Sequence, residues 1–521
     1  MNRTQSLQSL ETSTEPWDIV IIGGGATGIG VAVDAASRGY KTLLLEQHDF
    51  GKGTSTRSTK LAHGGVRYLQ QGNIALVLDA LRERGLMRQN APHLVHPLAF
   101  VMPNYDWWGG AYYGIGLRVY DFMAGKLGFG RSRNLSRTKT IECLPTIETT
   151  GLRGGVVYYD GQFDDARLLI NLAQTAVEQG ATLLNYMRVT ELLKDGGQVR
   201  GVVACDEENG REYRMQARVV INATGPFTDA VRRMDNAQST PVISPSQGVH
   251  IVLNRSFLPG DYALMVPKTD DGRVLFAIPW HDCVVVGTTD TPIAKVLLEA
   301  RAMKEELDFL LTHAARYLTR DPTPADVLSV FVGIRPLVKG DKSNTASLSR
   351  DHNLQISETG MVTICGGKWT TYRKMAEDTV SRAAAAASLA ARPCVTSNMR
   401  IHGYHDNARQ FGDLSFYGAD APHIQDLVRT EPDLAQRLHP GRPYTAAQVA
   451  WAVRHEMART VEDFLSRRTR ALILGARMSV EMAPAVARIM AKELGQDEAW
   501  QREQVQAYTA LAAGYMMPQA S

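Results

Sequence analysis

The feature that most constrains this chain lies near its start. An apolar run, Asp18-Ile-Val-Ile-Ile22, leads directly into Gly23-Gly24-Gly25-Ala26-Thr27-Gly28. A short apolar run bounded by glycines reads as a buried strand. Ile29, Ala32, Val33 and Ala36 then fall on one helical face until Gly39 stops it. A second apolar run, Thr42-Leu43-Leu44-Leu45, ends at Glu46. Strand, helix and strand in that order call for a parallel sheet covered by helices. Within this unit Gly23-x-Gly25-x-x-Gly28 has a chemical rationale. The first glycine makes the tight turn, the second lets a pyrophosphate approach the backbone, and the third lets helix pack on strand. The helix N-terminus adds free N–H groups and a partial positive charge. Glu46 is placed to accept from ribose hydroxyls. The unit therefore predicts dinucleotide binding, against the plainer reading of a structural glycine turn.

Two later segments favour FAD over NAD. Val219-Val220-Ile221-Asn222-Ala223-Thr224-Gly225-Pro226 is a strand ending in a turn of small residues. Ile364-Cys365-Gly366-Gly367-Lys368-Trp369-Thr370-Thr371-Tyr372 is a strand passing into a helix through two glycines. Each alone also reads as an ordinary strand turn. An extended FAD needs contacts from distant parts of a chain, and a second helix N-terminus beside the flavin stabilises negative charge on its reduced ring.

The 521 residues allow two to four domains. A net charge of +3, with 44% hydrophobic and 21% charged residues, fits a soluble globular protein and by itself gives no case for nucleic acid. No run approaches the roughly 20 apolar residues of a membrane-spanning helix. Residues 1–16 are polar, without the apolar core of a secretory signal, and are expected to be disordered. Five scattered cysteines without CxxC spacing predict reduced thiols in a cytoplasmic setting and no metal site. Residues 73–97 and 163–180 read as helices, and 181–221 and 241–290 as mostly strands. Pro393 breaks an alanine-rich helix, and beyond it only helical patterns are convincing, with Pro484 suited to a helix start.

Together these segments resemble the FAD-dependent glycerol-3-phosphate dehydrogenases, within the larger glycine oxidase and D-amino-acid oxidase-like group of flavoproteins. The resembling stretches are 22–29, 53–71, 158–169, 221–236, 286–293, 333–338 and 364–379, with Ser466-Arg467-Arg468-Thr469-Arg470-Ala471 matching a helical C-terminal domain. The wording is closer to the mitochondrial type than to the commonest bacterial one, which has Asn where Thr27 stands. The resemblance implies an α/β FAD-binding domain of Rossmann-like, glutathione-reductase/D-amino-acid-oxidase-like type, an α+β substrate domain and an all-α C-terminal domain. The expected boundaries are 17–80, 150–240 and 345–392 for FAD, 81–149 and 241–344 for substrate, and 393–521 for the helical domain. The mitochondrial type carries calcium-binding EF-hands beyond that domain. None is found before Ser521, so calcium control is not expected.

The family reaction moves a hydride from C2 of sn-glycerol 3-phosphate to FAD, gives dihydroxyacetone phosphate, and passes electrons to a membrane quinone. A phosphate dianion suits guanidinium forks, so Arg67, Arg335 and Arg350, set among glycines, prolines and apolar residues, are the natural candidates. The resemblance places all three in the substrate pocket, with Tyr68, Thr288 and Thr289 beside them and Lys368 under the flavin. Oxidising an alcohol needs a base for its hydroxyl proton, usually histidine. His250 matches the family's pocket histidine. His250, Arg335 and Lys368 are thus the catalytic set. For FAD the resemblance carries over Gly23, Gly25, Gly28, Glu46, Ser55, Thr56, Ser58, Lys60, His63, Val189, Ala223, Thr224, Gly225, Gly367, Lys368 and Thr370.

Trp107, Trp108, Tyr112, Tyr113, Arg118 and Lys126 mix aromatics with cations, as interfacial segments do, or form a half-buried aromatic cluster. With a quinone acceptor, peripheral contact with the inner face of the cytoplasmic membrane is expected. A homodimer is compatible with the sequence but is not read from it. The alternatives are an oxidase on the same substrate using oxygen, a flavin-binding sensor without turnover, and an amine or amino-acid oxidase.

Overall fold

The computed structural model describes residues 1–65, 73–105, 109–339 and 352–518. Two large sheets carry the fold. In the first, strand Trp17–Ile22 lies at the centre, paired in parallel with Thr42–Leu45 and Glu212–Asn222. Thr182–Leu184 and Val362–Gly366 extend it in parallel on either side, and His352–Ile356 closes one edge antiparallel. All of Trp17–Ile22 except Asp18 is buried, which explains a continuous rather than an alternating apolar run. Helices Ala26–Ser37, Asp165–Glu178 and Tyr372–Ala386 pack together on this sheet through Ile29, Leu169 and Val380. Gly30 permits the close helix pairing, since a Cβ there would lie 2.9 Å from the Tyr372 ring.

The second sheet has ten strands and is mostly antiparallel. Its long members are Val95–Asn104, Gly154–Phe163, Ile243–Asn254 and Val327–Val338. Ile243–Asn254 pairs antiparallel with Val327–Val338 on one side and Cys283–Gly287 on the other. The C-terminal region is helical apart from a short ladder, Arg437–His439 with Arg442–Thr445. Its core of Trp451, Phe464, Leu472, Val486 and Tyr508 is continuous with Val252 and Phe331 of the second sheet.

Three local readings change. Residues 1–16 were expected to be disordered, but Arg3–Thr12 is a helix capped by the Asn2 side chain. Arg3 reaches the buried Asp206 at 2.7 Å, and Leu10 joins the cluster of Trp17 and Val20. Two anchors outweigh a polar composition. The helix in 73–97 is Ile74–Asn90, and the chain is already a strand from Val95. Pro484 lies inside helix Ala476–Leu494 rather than at its start. Burial of Met482, Ala483, Val486 and Met490 holds that helix through a break costing about 3 kcal/mol.

Candidate active site

The glycine turn is built as its spacing requires. Gly23 has φ +111°, and a Cβ there would sit 2.8 Å from the Ala223 carbonyl oxygen. A Cβ at Gly28 would lie 1.9 Å from the Gly23 carbonyl oxygen, so helix and strand meet backbone to backbone. Glu46 closes the far side. Its Oε2 accepts from Gly24 N at 2.6 Å and its Oε1 from His48 N at 2.9 Å. Burial raises the Glu46 carboxyl pKa, and these two backbone donors oppose the rise.

A cavity of about 300 Å³ follows from this turn, lined by Gly23, Gly25, Glu46, Ser55, Val189, Ala223, Thr224, Gly225, Gly367 and Lys368. Three segments far apart in the chain meet there, with bare backbone at Gly23 and Gly25 and the start of helix Ala26–Ser37 facing in. These features fit an extended dinucleotide.

Gly28 lets helix pack on strand, the role its place in the spacing predicts. Other expected cofactor residues are placed differently. Thr56 does not line the cavity, and its hydroxyl donates to Gly51 O at 2.9 Å. Lys60 is the clearest departure. Its ammonium is fully buried, 2.7 Å from Asp165, and also donates to Thr56 O. Burial lowers its pKa and Asp165 opposes that, so the chain turns inward to answer a buried carboxylate at a helix start. Ser58 bonds the same carboxylate at 2.7 Å. Ser58, His63 and Thr370 face a second cavity, where His63 N donates to the Thr370 hydroxyl at 3.3 Å.

That second cavity measures about 320 Å³ and shares Thr54, Lys368 and Trp369 with the first. Strand register builds it. His250 sits opposite Phe331, Gly248 opposite Gly333, and Ser246 opposite Arg335. Side chains two apart share a face, so a glycine pair separates the imidazole from the guanidinium. A Cβ at Gly248 would lie 2.3 Å from Arg335 Nη2, and one at Gly287 would lie 2.2 Å from the His250 ring. These two glycines therefore leave the room that the two functional side chains occupy.

Arg335 donates to Asp290 at 3.1 Å, to Thr289 O at 2.9 Å and to the Thr288 hydroxyl at 3.2 Å. The Thr289 hydroxyl is fixed by Glu306 at 3.0 Å. His250 stacks on Phe331 with ring centroids 4.6 Å apart, and its Nε2 is 2.9 Å from the Thr59 hydroxyl. Its Nδ1 has no hydrogen-bond partner among the described residues. Burial, then the charges of Arg335 and Lys60, hold its pKa well below the usual imidazole value, so the ring is neutral near pH 7. Arg67, Tyr68 and Arg350 lie outside the described residues, as do Trp107 and Trp108. The side chains of Tyr112, Tyr113 and Lys126 lie outside them too.

The FAD dependent oxidoreductase family matches residues 18–373, and the C-terminal domain of alpha-glycerophosphate oxidase matches 357–501. A probable mitochondrial glycerol-3-phosphate dehydrogenase of Caenorhabditis elegans is 41% identical over 525 residues, spanning 94% of this chain and 72% of that protein. The human mitochondrial glycerol-3-phosphate dehydrogenase is 40% identical over 541 residues, spanning 97% and 74%. The chain belongs to the FAD-dependent glycerol-3-phosphate dehydrogenase family. The X-ray structure of the glycerol-3-phosphate dehydrogenase from Bacillus halodurans, complexed with FAD, superposes with a TM-score of 0.82 at 30% identity, covering 100% of this chain and 99% of that one.

In this dehydrogenase family member, several site residues were not legible beforehand. Arg57, Thr59 and Arg273 all line the second cavity. Arg57 and Thr59 lay within a resembling stretch, but nothing local marked them out. Arg273, in Asp270-Asp271-Gly272-Arg273, reads as a surface turn. Arg467 and Arg468 near the C-terminus are buried and both grip Asp49, at 2.5 and 2.7 Å. Lys52 pairs with Glu462 at 2.7 Å, so the 46–53 wall of the first cavity rests on the C-terminal region.

Proposed function

We propose that the protein oxidises sn-glycerol 3-phosphate to dihydroxyacetone phosphate, with a membrane quinone as the electron acceptor. The observation carrying this reading is the meeting of the two cavities at Thr54, Lys368 and Trp369, with His250 and Arg335 across the second. FAD held by Gly23, Gly25, Glu46 and Gly225 in the first cavity would supply the hydride acceptor and the electron route to the quinone.

The remaining chemistry belongs to the chain's own residues. Arg335 binds the substrate phosphate, helped by Arg273 and, as the family resemblance implies, Arg350 and Arg67. Neutral His250 takes the C2 hydroxyl proton as the carbonyl forms. The phosphate dianion offsets the Arg335 charge that depresses the imidazole pKa, which raises its basicity once substrate is present. Thr59 and Phe331 hold the ring in place. Lys368 supplies positive charge where the two cavities meet.

An exposed apolar face supports contact with a membrane. Helices Ile74–Asn90 and Gly109–Ala124 pack together. Ile115, Val119 and Phe122 share one face of the second helix, and Phe122 is 87% exposed, with Ile74 and Leu78 exposed on the first. The second helix also borders the substrate side, where Gly64 N donates to the Tyr120 hydroxyl at 2.9 Å. No helix among the described residues is long and apolar enough to cross a membrane. We assign this face to peripheral contact with the inner face of the cytoplasmic membrane.

The test is an anaerobic titration of the purified FAD-loaded protein with sn-glycerol 3-phosphate. Bleaching of the flavin band, at roughly 450 nm, is expected. A band that does not change removes the substrate assignment. Slow recovery in air supports a dehydrogenase, and fast recovery with peroxide release makes the protein an oxidase. Phe122→Asp is expected to release the protein from anionic lipid vesicles while activity with a soluble dye is kept. Unchanged vesicle binding removes the membrane face.

A further inference from the structure

Lys60 and Asp165 form a wholly buried ion pair that the chemistry above does not use. Asp165, at the start of helix Asp165–Glu178, accepts from Lys60 Nζ at 2.7 Å, from the Ser58 hydroxyl at 2.7 Å and from Ser58 N at 3.1 Å. The Ser58 hydroxyl in turn accepts from Lys60 N at 3.0 Å. The neighbours of Thr59 on both sides are therefore pinned to one carboxylate. Lys60 also has φ +64°, a left-handed conformation that a residue with a side chain rarely adopts. These bonds hold it there, together with Phe163 N, which donates to Lys60 O at 3.0 Å. Strain of this kind persists where the surrounding structure over-determines it. Here it sets Thr59, half-buried, into the wall of the second cavity.

His250 is much less open than Thr59. It is only 3% exposed, and its ring is packed on two sides. Phe331 stacks on it at 4.6 Å, with the two planes 7° apart. On the other strand, a Cβ at Gly287 would lie 2.2 Å from His250 Cδ2 and 2.9 Å from Nε2, so that edge lies against backbone. The ring nitrogens are both withdrawn from the cavity. Nδ1 is buried with no hydrogen-bond partner among the described residues, and Nε2 is taken by the Thr59 hydroxyl at 2.9 Å. A base in this setting has no nitrogen free to meet a substrate hydroxyl directly. The Thr59 hydroxyl makes that one hydrogen bond among the described residues. A hydroxyl carries one donor and two acceptor lone pairs, so Oγ1 can donate to Nε2 and still accept a second proton donor from the cavity. Arg335 and Lys368 line the same cavity.

We infer that Thr59 is a catalytic residue, whose hydroxyl takes the C2 hydroxyl proton of the substrate at Oγ1 and passes its own proton to His250 Nε2. This rests on the reading of sn-glycerol 3-phosphate as substrate and His250 as its base, and it names the group that touches the reacting hydroxyl. The relay uses the imidazole tautomer with its proton on Nδ1 and its lone pair on Nε2. Two O–H bonds break, at C2 and at Thr59, while one O–H bond and one N–H bond form. Threonine ends neutral and the imidazole ends cationic. The pair freed on the C2 oxygen becomes the second bond of the carbonyl, and the C2 hydrogen leaves with its own pair to the FAD acceptor. Both protons move as the hydride leaves.

The test is anaerobic stopped-flow reduction of the FAD-loaded full chain by saturating sn-glycerol 3-phosphate, in mixtures of H2O and D2O. In wild type the rate plotted against deuterium content is expected to curve, the mark of two protons in flight. Thr59→Val keeps the shape of the side chain without its hydroxyl, and is expected to slow flavin reduction about 10²-fold, the low end of what a positioned acid–base group contributes. Thr59→Ser keeps the hydroxyl, and is expected to recover most of that loss together with the curved plot. If Thr59→Val does not retain FAD, Thr59→Ala takes its place, and the wild-type plot needs no variant at all. A Thr59→Val rate close to wild type overturns the inference. So does an equal fall in Thr59→Ser, which would mark lost packing, and so does a straight wild-type plot. A wild-type flavin that does not bleach removes the substrate reading itself, whereas bleaching that is indifferent to Thr59→Val removes the relay alone.

Discussion

The two cavities that meet at Lys368 are made in opposite ways. The first is made by leaving atoms out: glycines, a helix start and carbonyls present backbone at Gly23, Gly25 and Gly225. The second is made by side chains thrown across three strands, with Gly248 and Gly287 clearing room for them. The lesson is that adding one carbon should ruin the first, whereas the second should fail when a functional group is removed.

The largest effect is expected from Gly28→Ala. Its Cβ would fall 1.9 Å from the Gly23 carbonyl oxygen, so the protein should purify without FAD, read as the ratio of flavin to protein absorbance. Full flavin content in this variant would break the contrast. His250→Ala should lower kcat by about 10²–10⁴ with FAD retained and the acidic limb of the pH–rate profile changed. A wild-type profile would remove it as the base. Arg335→Ala should cost about 10–150-fold in kcat/KM, mostly through KM, as expected for charge-assisted hydrogen bonds worth about 1.5–3 kcal/mol. An unchanged KM would place the phosphate elsewhere.

The smallest effect concerns the seam between helix Asp165–Glu178 of the first region and the C-terminal part. His402 bridges Glu178 at 2.5 Å and Asp420 at 2.8 Å. Burial lowers its pKa, but the two carboxylates outweigh that and raise it to about 9. A folded-state pKa above the unfolded value near 6.5 means the stabilisation is fully present below about pH 6.5 and is lost as pH rises through about 9. Wild type should therefore lose a few degrees of Tm between those limits, measured by calorimetry. His402→Gln should flatten that difference, and an equal loss in the variant would assign the alkaline effect to other groups.

Much of the first region was legible because its signals are local. Gly23 to Gly28, Glu46 and the turns at Ala223 and Gly367 each announce themselves within a few residues of chain. Even there, Lys60 misled. A lysine among serines and threonines reads as a phosphate ligand until the burial of Asp165 is known. In the second region the residue types were readable, as with His250 and Arg335, but their partners were not. Nothing near His250 points to Thr59 or Phe331.

Sequence alone determined the parallel βαβ unit, its bare-backbone turn and the acid at the end of the next strand, because tight turns and helix starts obey short-range sterics. Tertiary structure decided the rest. The register of Ile243–Asn254 against Val327–Val338 set Arg335 one glycine pair away from His250. The folding back of the C-terminal region buried Arg467, Arg468 and Arg470 against Asp49 and Asp164. Register and burial arise between segments scores to hundreds of residues apart, where periodicity names a face but not the neighbour it meets.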